Sequence, residues 1–246
     1  MVRCADNANA AHPGVMKQGL VLDRVVLLGR TLDEYRRFFS LDLRSLRDRA
    51  ILDVASGVSS FCAEARQCDL DVIACDLIYQ LSREQIQARC EPDLDHVIRS
   101  VGPLKTYRWD FYKSPEGVRR YRERAYKTFL ADYRLPRGTR YVAGELPKLP
   151  FAGGRFDLTL VSYLLFVYED HLDYEFHKRS LLEIMRVTRG EARFYPLVTF
   201  EAKRCSYVDR LRSDPDLGGL AFEEVATDFE FLLHSNSYLC VRHRPA

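Results

Sequence analysis

The stretch Ile51-Leu52-Asp53-Val54-Ala55-Ser56-Gly57-Val58-Ser59-Ser60-Phe61, with Val72-Ile73-Ala74-Cys75-Asp76 about 20 residues later, decides the fold. Each half is a short apolar run ending on an acidic residue, and the first opens through a glycine-containing turn into a helix. A ligand with a ribose and a charged tail needs a turn that its backbone can approach closely. It also needs a carboxylate at the tip of the next strand to accept from the ribose hydroxyls. Gly57 suits the first need and Asp76 the second, while Asp53 sits where it can reach a cofactor's ammonium directly or through water. Taken singly, each residue also has a plain reading: Asp53 caps the turn, Gly57 permits it, and Asp76 ends a strand.

Working outward, apolar runs alternate with amphipathic stretches from Leu46 onward, as in a parallel sheet covered by helices on both faces. Strands are expected at about Ala50 to Val54, Asp71 to Cys75, Arg140 to Gly144, Phe156 to Ser162 and Ala192 to Leu197. Capping boxes at Thr31-Leu-Asp-Glu34 and Ser82-Arg-Glu-Gln85 open helices, the second of which Pro92 is expected to interrupt. Two alternating runs, Glu224 to Leu233 and Tyr238 to His243, flank His234-Ser-Asn-Ser237 and read as a closing antiparallel hairpin. That ending departs from a plain dinucleotide-binding fold. Residues 107–140 break the alternation with an aromatic and basic helix over about Pro115 to Tyr133, an insertion read as a lid. A single domain over 19–246 is expected, with the lid at about 105–140 and a loose tail at 1–18.

Tyr141-Val-Ala-Gly144-Glu145-Leu146-Pro-Lys-Leu149-Pro150-Phe151, then Arg155-Phe156-Asp157 through Ser162, completes a pattern that resembles the class I methyltransferases dependent on S-adenosyl-L-methionine (SAM). The resemblance is nearest the ubiquinone-biosynthesis-like group. It spans about Leu46 to Leu197 plus the terminal hairpin and leaves the 107–140 insertion unmatched. It implies an α/β Rossmann-like sheet and methyl transfer from SAM. The implied cofactor site comprises Asp53, Ala55, Ser56, Gly57, Ser59, Ser60, Asp76, Leu77, Glu145, Leu146 and Ser162, with Glu145 and Leu146 at the adenine. The sequence departs from the pattern in the turn, where Ala55 and Ser59 stand in place of usual glycines, and at Glu145, where aspartate is usual. Glycine at 55, 57 and 60 would be required for a G-x-G-x-x-G dinucleotide match, and only Gly57 is present.

Methyl transfer from a sulfonium is an in-line displacement, so alignment and water exclusion dominate and a base is optional. The resemblance places Ser162 to His171 beside the transferred methyl, which makes His171 the first candidate base and Tyr168 and Tyr163 positioning groups. His177, four residues after Asp173, reads as half of a solvent-facing ion pair. Arg119, Arg120 and Arg124 among aromatics suggest RNA as an alternative acceptor, but Glu116, Glu123 and Asp132 interrupt the basic run and favour a lid over a small-molecule acceptor. The remaining alternative is a non-catalytic SAM-binding relative.

A formal net charge of +2 from 37 basic and 35 acidic residues demands neither nucleic acid nor membrane. Seven cysteines without a C-x-x-C pair argue against a disulfide framework or a zinc site, and the expected location is the cytoplasm. The apolar stretch from Gly19 to Gly29 is broken by Asp23 and Arg24 and is too short to span a bilayer. Oligomeric state is not legible.

Overall fold

The computed structural model describes residues 26–101, 104–133 and 140–245. The expected tail at 1–18 lies outside the described residues. Thr31 opens helix α1 (Leu32–Phe38) with the capping box foreseen above: its side chain accepts from the Glu34 N–H, and the Glu34 carboxylate accepts from the Thr31 N–H at 2.8 Å. Caps of this kind are worth about 1 kcal/mol each.

Seven strands form one sheet: β1 (Ala50–Val54), β2 (Asp71–Cys75), β3 (Tyr141–Val142), β4 (Phe156–Ser162), β5 (Thr188–Tyr195), β6 (Leu220–Ala226) and β7 (Ser237–His243). Their order is β3-β2-β1-β4-β5-β7-β6. The first five run parallel, while β7 runs antiparallel to both β5 and β6 between which it lies. This is the mostly parallel, Rossmann-like sheet with a C-terminal antiparallel pair that the sequence implied.

Period-two alternation along each strand feeds two cores. Ile51, Val72, Leu158 and Leu160 belong to an aromatic-rich core shared with α1 and α2 (Phe61–Arg66), and with α3 (Arg83–Val101) and α4 (Pro115–Asp132). Leu52, Val54 and Val161 belong to the opposite core, with α5 (Tyr174–Val187) and α6 (Ser206–Ser213).

Several boundaries differ from the sequence expectation. Helix α3 passes through Pro92 without interruption. Pro92 and Ala88 are exposed, so the carbonyl freed by the missing N–H faces water, while Ile86, Cys90, Leu94 and Val97 hold the other face against the core. The closing strands do not meet in a tight turn at 234–237. β6 ends at Ala226, and residues 227–236 fold back, with Tyr107 bridging Leu232. Phe229 and Phe231 are apolar because they pack on Tyr107, Trp109 and Tyr112, not because they extend the sheet, and adjacent Leu232 is buried in the same core. β3 is shorter than expected, and β5 starts and ends earlier, taking over directly from the end of α5.

Candidate cofactor site at the strand tips

Parallel strands deliver Asp53, Asp76, Glu145 and Ser162 to the carboxyl edge of the sheet, where open α/β folds bind ligands. The turn after β1 is clamped to the tip of β2. The Ala55 N–H donates to the Cys75 carbonyl at 2.8 Å. The Gly57 and Ile78 N–H groups each donate to the Asp76 carboxylate at 2.9 Å. The Tyr79 hydroxyl donates to the Gly57 carbonyl at 2.8 Å.

Ala55 adopts φ +55° and Gly57 φ +56°. The left-handed conformation that the glycine-rich pattern serves is thus retained at 55, with a methyl group carrying the strain, on the order of 1–2 kcal/mol. A Cβ on Gly57 would meet nothing within 4 Å, so the turn presents open space on that side.

Asp76 is half-buried, and desolvation raises its pKa against the two backbone donors. A carboxylate has about four acceptor positions. Two remain after Gly57 and Ile78. Leu77 is half-buried, Glu145 exposed and Leu146 buried, and the Gly144 N–H donates to the Asp76 carbonyl at 3.4 Å, which joins the two loops. A Cβ on Gly144 would lie 2.7 Å from the Pro150 ring and 2.8 Å from Cys75 Sγ, so only glycine fits there.

Asp53 is different. It is fully buried at 0% exposure, accepting from the Tyr35 hydroxyl at 2.8 Å and from Ser56 Oγ at 2.6 Å. Ser162 Oγ in turn donates to the Tyr35 oxygen at 2.9 Å. Burial pushes the Asp53 carboxyl up to about 7. Its carboxylate organises the turn from beneath, and the direct contact with an ammonium expected from the sequence is not open to it.

Ser59 and Ser60 are also buried. Ser59 Oγ donates to the Arg30 carbonyl at 2.7 Å and accepts from the Phe61 N–H at 3.1 Å, and Ser60 Oγ donates to Glu64 at 3.0 Å. These hydroxyls fasten the segment around Arg30 to the turn and are not presented to a ligand. A Cβ on Gly29 would run into the Val58 carbonyl, so this segment lies directly against the turn.

At the tip of β4, Tyr163 adopts φ +53° and carries the Arg30 guanidinium over its ring at 4.3 Å from the centroid. Tyr168 is buried, edge-on to Phe200. His171, the expected base, lies exposed on the turn beyond Tyr168, its ring centroid 6.1 Å from that of Tyr168. The structure brings Tyr163 together with Arg30 and Ser162 with Tyr35, but leaves His171 on the surface. His177 corrects a second expectation. It is 0% exposed and packs against Phe166 and Tyr207, with Nδ1 at 2.8 Å from the Asp173 carbonyl; burial lowers its pKa. An inward position on α5 rules out a solvent-facing ion pair with Asp173, whose side chain instead caps the helix through the Phe176 N–H.

The aromatic segment expected as a lid contains α4, which lies along two neighbouring helices. Val118, Arg122, Ala125 and Phe129 form the buried face of α4, which packs on α2 and α3. Arg122 pairs with fully buried Glu34 at 2.6 Å, and the Tyr112 hydroxyl bonds both. Arg119 pairs with Asp95 at 2.5 Å, and Arg124 with Glu64 at 3.0 Å. The basic stripe is therefore largely neutralised by neighbouring carboxylates.

A cavity of about 400 Å³ lies between Arg37, Phe111 and the 227–230 loop. Phe38 and Phe229 stand between it and Tyr163, and the Arg108–Glu230 pair at 2.8 Å spans its lining. The convergence of loops at Asp76 lies apart from this outer cavity, whose lining includes none of the expected cofactor residues. Among the described residues no group of His, Cys, Asp and Glu is arranged to hold a metal ion, and no helix is long and apolar enough to cross a membrane.

Sequence reasoning missed Tyr35, Tyr79, Arg30 and the Glu34–Arg122 pair. Tyr35 carried one signal, since the aromatic face of α1 required a surface to cover.

The chain is 35% identical over 225 residues to the uncharacterized protein MJ0045 of Methanocaldococcus jannaschii, covering 91% of this chain and 98% of that protein. It belongs to that protein's family. No protein-family model matches it. Among solved structures, a Rhodobacter sphaeroides protein provisionally named a Zn-dependent alcohol dehydrogenase matches with a TM-score of 0.52 at 11% identity, covering 89% of this chain and 92% of its own. A TehB-like SAM-dependent methyltransferase from Corynebacterium glutamicum matches with a TM-score of 0.42 at 15% identity, covering 80% and 82%. At these identities the likeness is one of fold.

Proposed function

We propose that the protein binds SAM at the strand tips and transfers its methyl group to a small or medium-sized acceptor. The carrying observation is the pairing of Gly57 and Asp76: an open left-handed turn joined by its own N–H to a carboxylate with two acceptor positions left. Asp76 would take the ribose hydroxyls, Leu77, Glu145 and Leu146 the adenine, and the backbone of Ala55 to Gly57 the methionine side. Asp53, Ser56, Ser59, Ser60 and Ser162 would support these groups from behind. The bound cofactor supplies an electrophilic methyl on a sulfonium. The chain's part is to orient the acceptor and exclude water, and orientation can lower such a barrier by about 7–11 kcal/mol.

Two features favour this over a nicotinamide cofactor, whatever the name of the Rhodobacter protein. The turn has one of the three glycines of the dinucleotide pattern, and β7 is inserted antiparallel between β5 and β6, unlike the plain dinucleotide-binding order. With His171 exposed and Asp53 sealed, a SAM-binding relative without transfer activity is the second reading.

Incubation with methyl-labelled SAM and a fractionated cell extract separates these readings. Label is expected in the small-molecule fraction and is expected to be lost with Asp76→Ala. Label in RNA would redirect the acceptor class, and none in any fraction would favour the non-catalytic relative.

A further inference from the structure

Arg30 is 9% exposed, yet among the described residues no carboxylate bonds its guanidinium. Nη1 donates to the Leu28 carbonyl at 2.6 Å and the Gly29 carbonyl at 3.3 Å, and buried Nε has no hydrogen-bond partner. Among the described residues Arg30 makes no ion pair. The nearby carboxylate, Glu34, is already held by Arg122 and by the Tyr112 hydroxyl. Among the described residues, Arg122 takes Glu34, and Asp93, the other buried carboxylate on this side, accepts from the Leu27 N–H, so neither bonds the Arg30 guanidinium. The side chains around Arg30 are phenols: Tyr107, Tyr112, Tyr163 and Tyr168 all feel its charge but cannot neutralise it. Desolvation and the neighbouring Arg122 both lower the Arg30 pKa, as expected for a cation lacking its counterion.

A buried unpaired cation costs several kcal/mol unless something compensates it. Its position suggests what does. The Arg30 carbonyl is bonded to Ser59 Oγ and to the Ser60 N–H of the turn after β1, and its guanidinium lies over Tyr163, next to the last residue of β4. Arg30 therefore bridges the two strand tips that flank the proposed methyl-transfer position. We infer that Arg30 is a carboxylate receptor within this site, completed only when a ligand's carboxylate meets its guanidinium. The inference rests on the methyltransferase reading for the ligand's identity. The carboxylate has two possible sources of the same chemistry, the amino-acid end of the cofactor or the methyl acceptor.

Arg30→Gln and Arg30→Lys test this. Removing an uncompensated buried charge should leave the Tm of the unliganded protein unchanged or raised, where removing a purely structural arginine would lower it. S-adenosylhomocysteine and 5′-methylthioadenosine share the nucleoside, but only the first carries a carboxylate. If the cofactor is the source, Arg30→Gln weakens S-adenosylhomocysteine by about 10- to 100-fold and leaves methylthioadenosine unchanged. If the acceptor is the source, both nucleosides bind as in the wild type, and the thermal shift that benzoate or acetate gives the wild-type complex disappears. Arg30→Lys should restore part of either response. The inference is overturned if Arg30→Gln matches the wild type in both titrations, or if it weakens both nucleosides alike with a lowered Tm. A wild type that binds neither nucleoside would instead count against the methyltransferase reading, and the carboxylate titration on the unliganded protein would still decide Arg30.

Discussion

Asp76 and Asp53 lie on neighbouring strand tips, but their surroundings separate their roles. Asp76 is half-buried with acceptor capacity to spare, and Asp53 is sealed beneath Tyr35 and Ser56. Burial holds the Asp53 carboxyl at about 7, where an unfolded chain would have it near 4. Between about pH 4 and 7 the folded protein therefore keeps a proton that the unfolded chain has released. This contribution to stability falls as pH rises through that window and levels off above it. The difference in Tm between wild type and Asp53→Asn is expected to shift against the wild type from pH 4.5 to 7.5, and a difference independent of pH would contradict the assignment. Among the arginines, Arg122→Ala strands fully buried Glu34 and is expected to cost about 3–5 kcal/mol. Arg124→Ala breaks an exposed pair and should cost under about 1 kcal/mol. Chemical denaturation of the two variants compares them directly, and equal losses would mean that burial does not govern these pairs. The local pattern drew attention to Gly57, Asp76 and Gly144 to Leu146, and hydrogen bonds join Gly57 and Gly144 to Asp76. Arg30 and Tyr35 were not legible in the sequence, because they reach the site from a segment 23 and 18 positions before Asp53 with no motif of their own.

At the scale of elements, capping residues and strand alternation located most helices and strands, and the failures share one cause. The stretch from Phe229 to Leu233 looked like a strand because Phe229 and Phe231, two residues apart, both pack on the 107–112 aromatics, as they would on a sheet face. Pro92 looked like a break because the sequence does not show that Ala88 and Pro92 face water while the rest of α3 is anchored. The pairing of the basic stripe on α4 was not visible because its partners Asp95, Glu64 and Glu34 are distant in sequence. The segment from Val26 to Thr31 is the least foreseen element: it lies on the turn after β1 through Ser59, Ser60 and the close approach of Gly29 to Val58. Gly29→Ala forces this segment off the turn, with an expected cost of about 1–3 kcal/mol. Limited proteolysis before Arg30 should become faster in the variant, and wild-type resistance would show that the segment is not seated as described.

For the whole molecule, the antiparallel β7 between β5 and β6 and the convergence of the β1, β2 and β3 loops at Asp76 define the candidate cofactor site. Among the described residues, Arg119 and Arg124 of α4 are each paired with a carboxylate from another element. The central claim is that this edge holds SAM through Asp76. Calorimetric titration of wild type and Asp76→Ala with S-adenosylhomocysteine tests it most directly, with circular dichroism verifying that the variant is folded. The expected result is saturable binding by the wild type and a loss of about 100-fold or more in the variant, the effect of removing two charge-assisted hydrogen bonds. No binding by the wild type, or equal affinity in a folded variant, would contradict it.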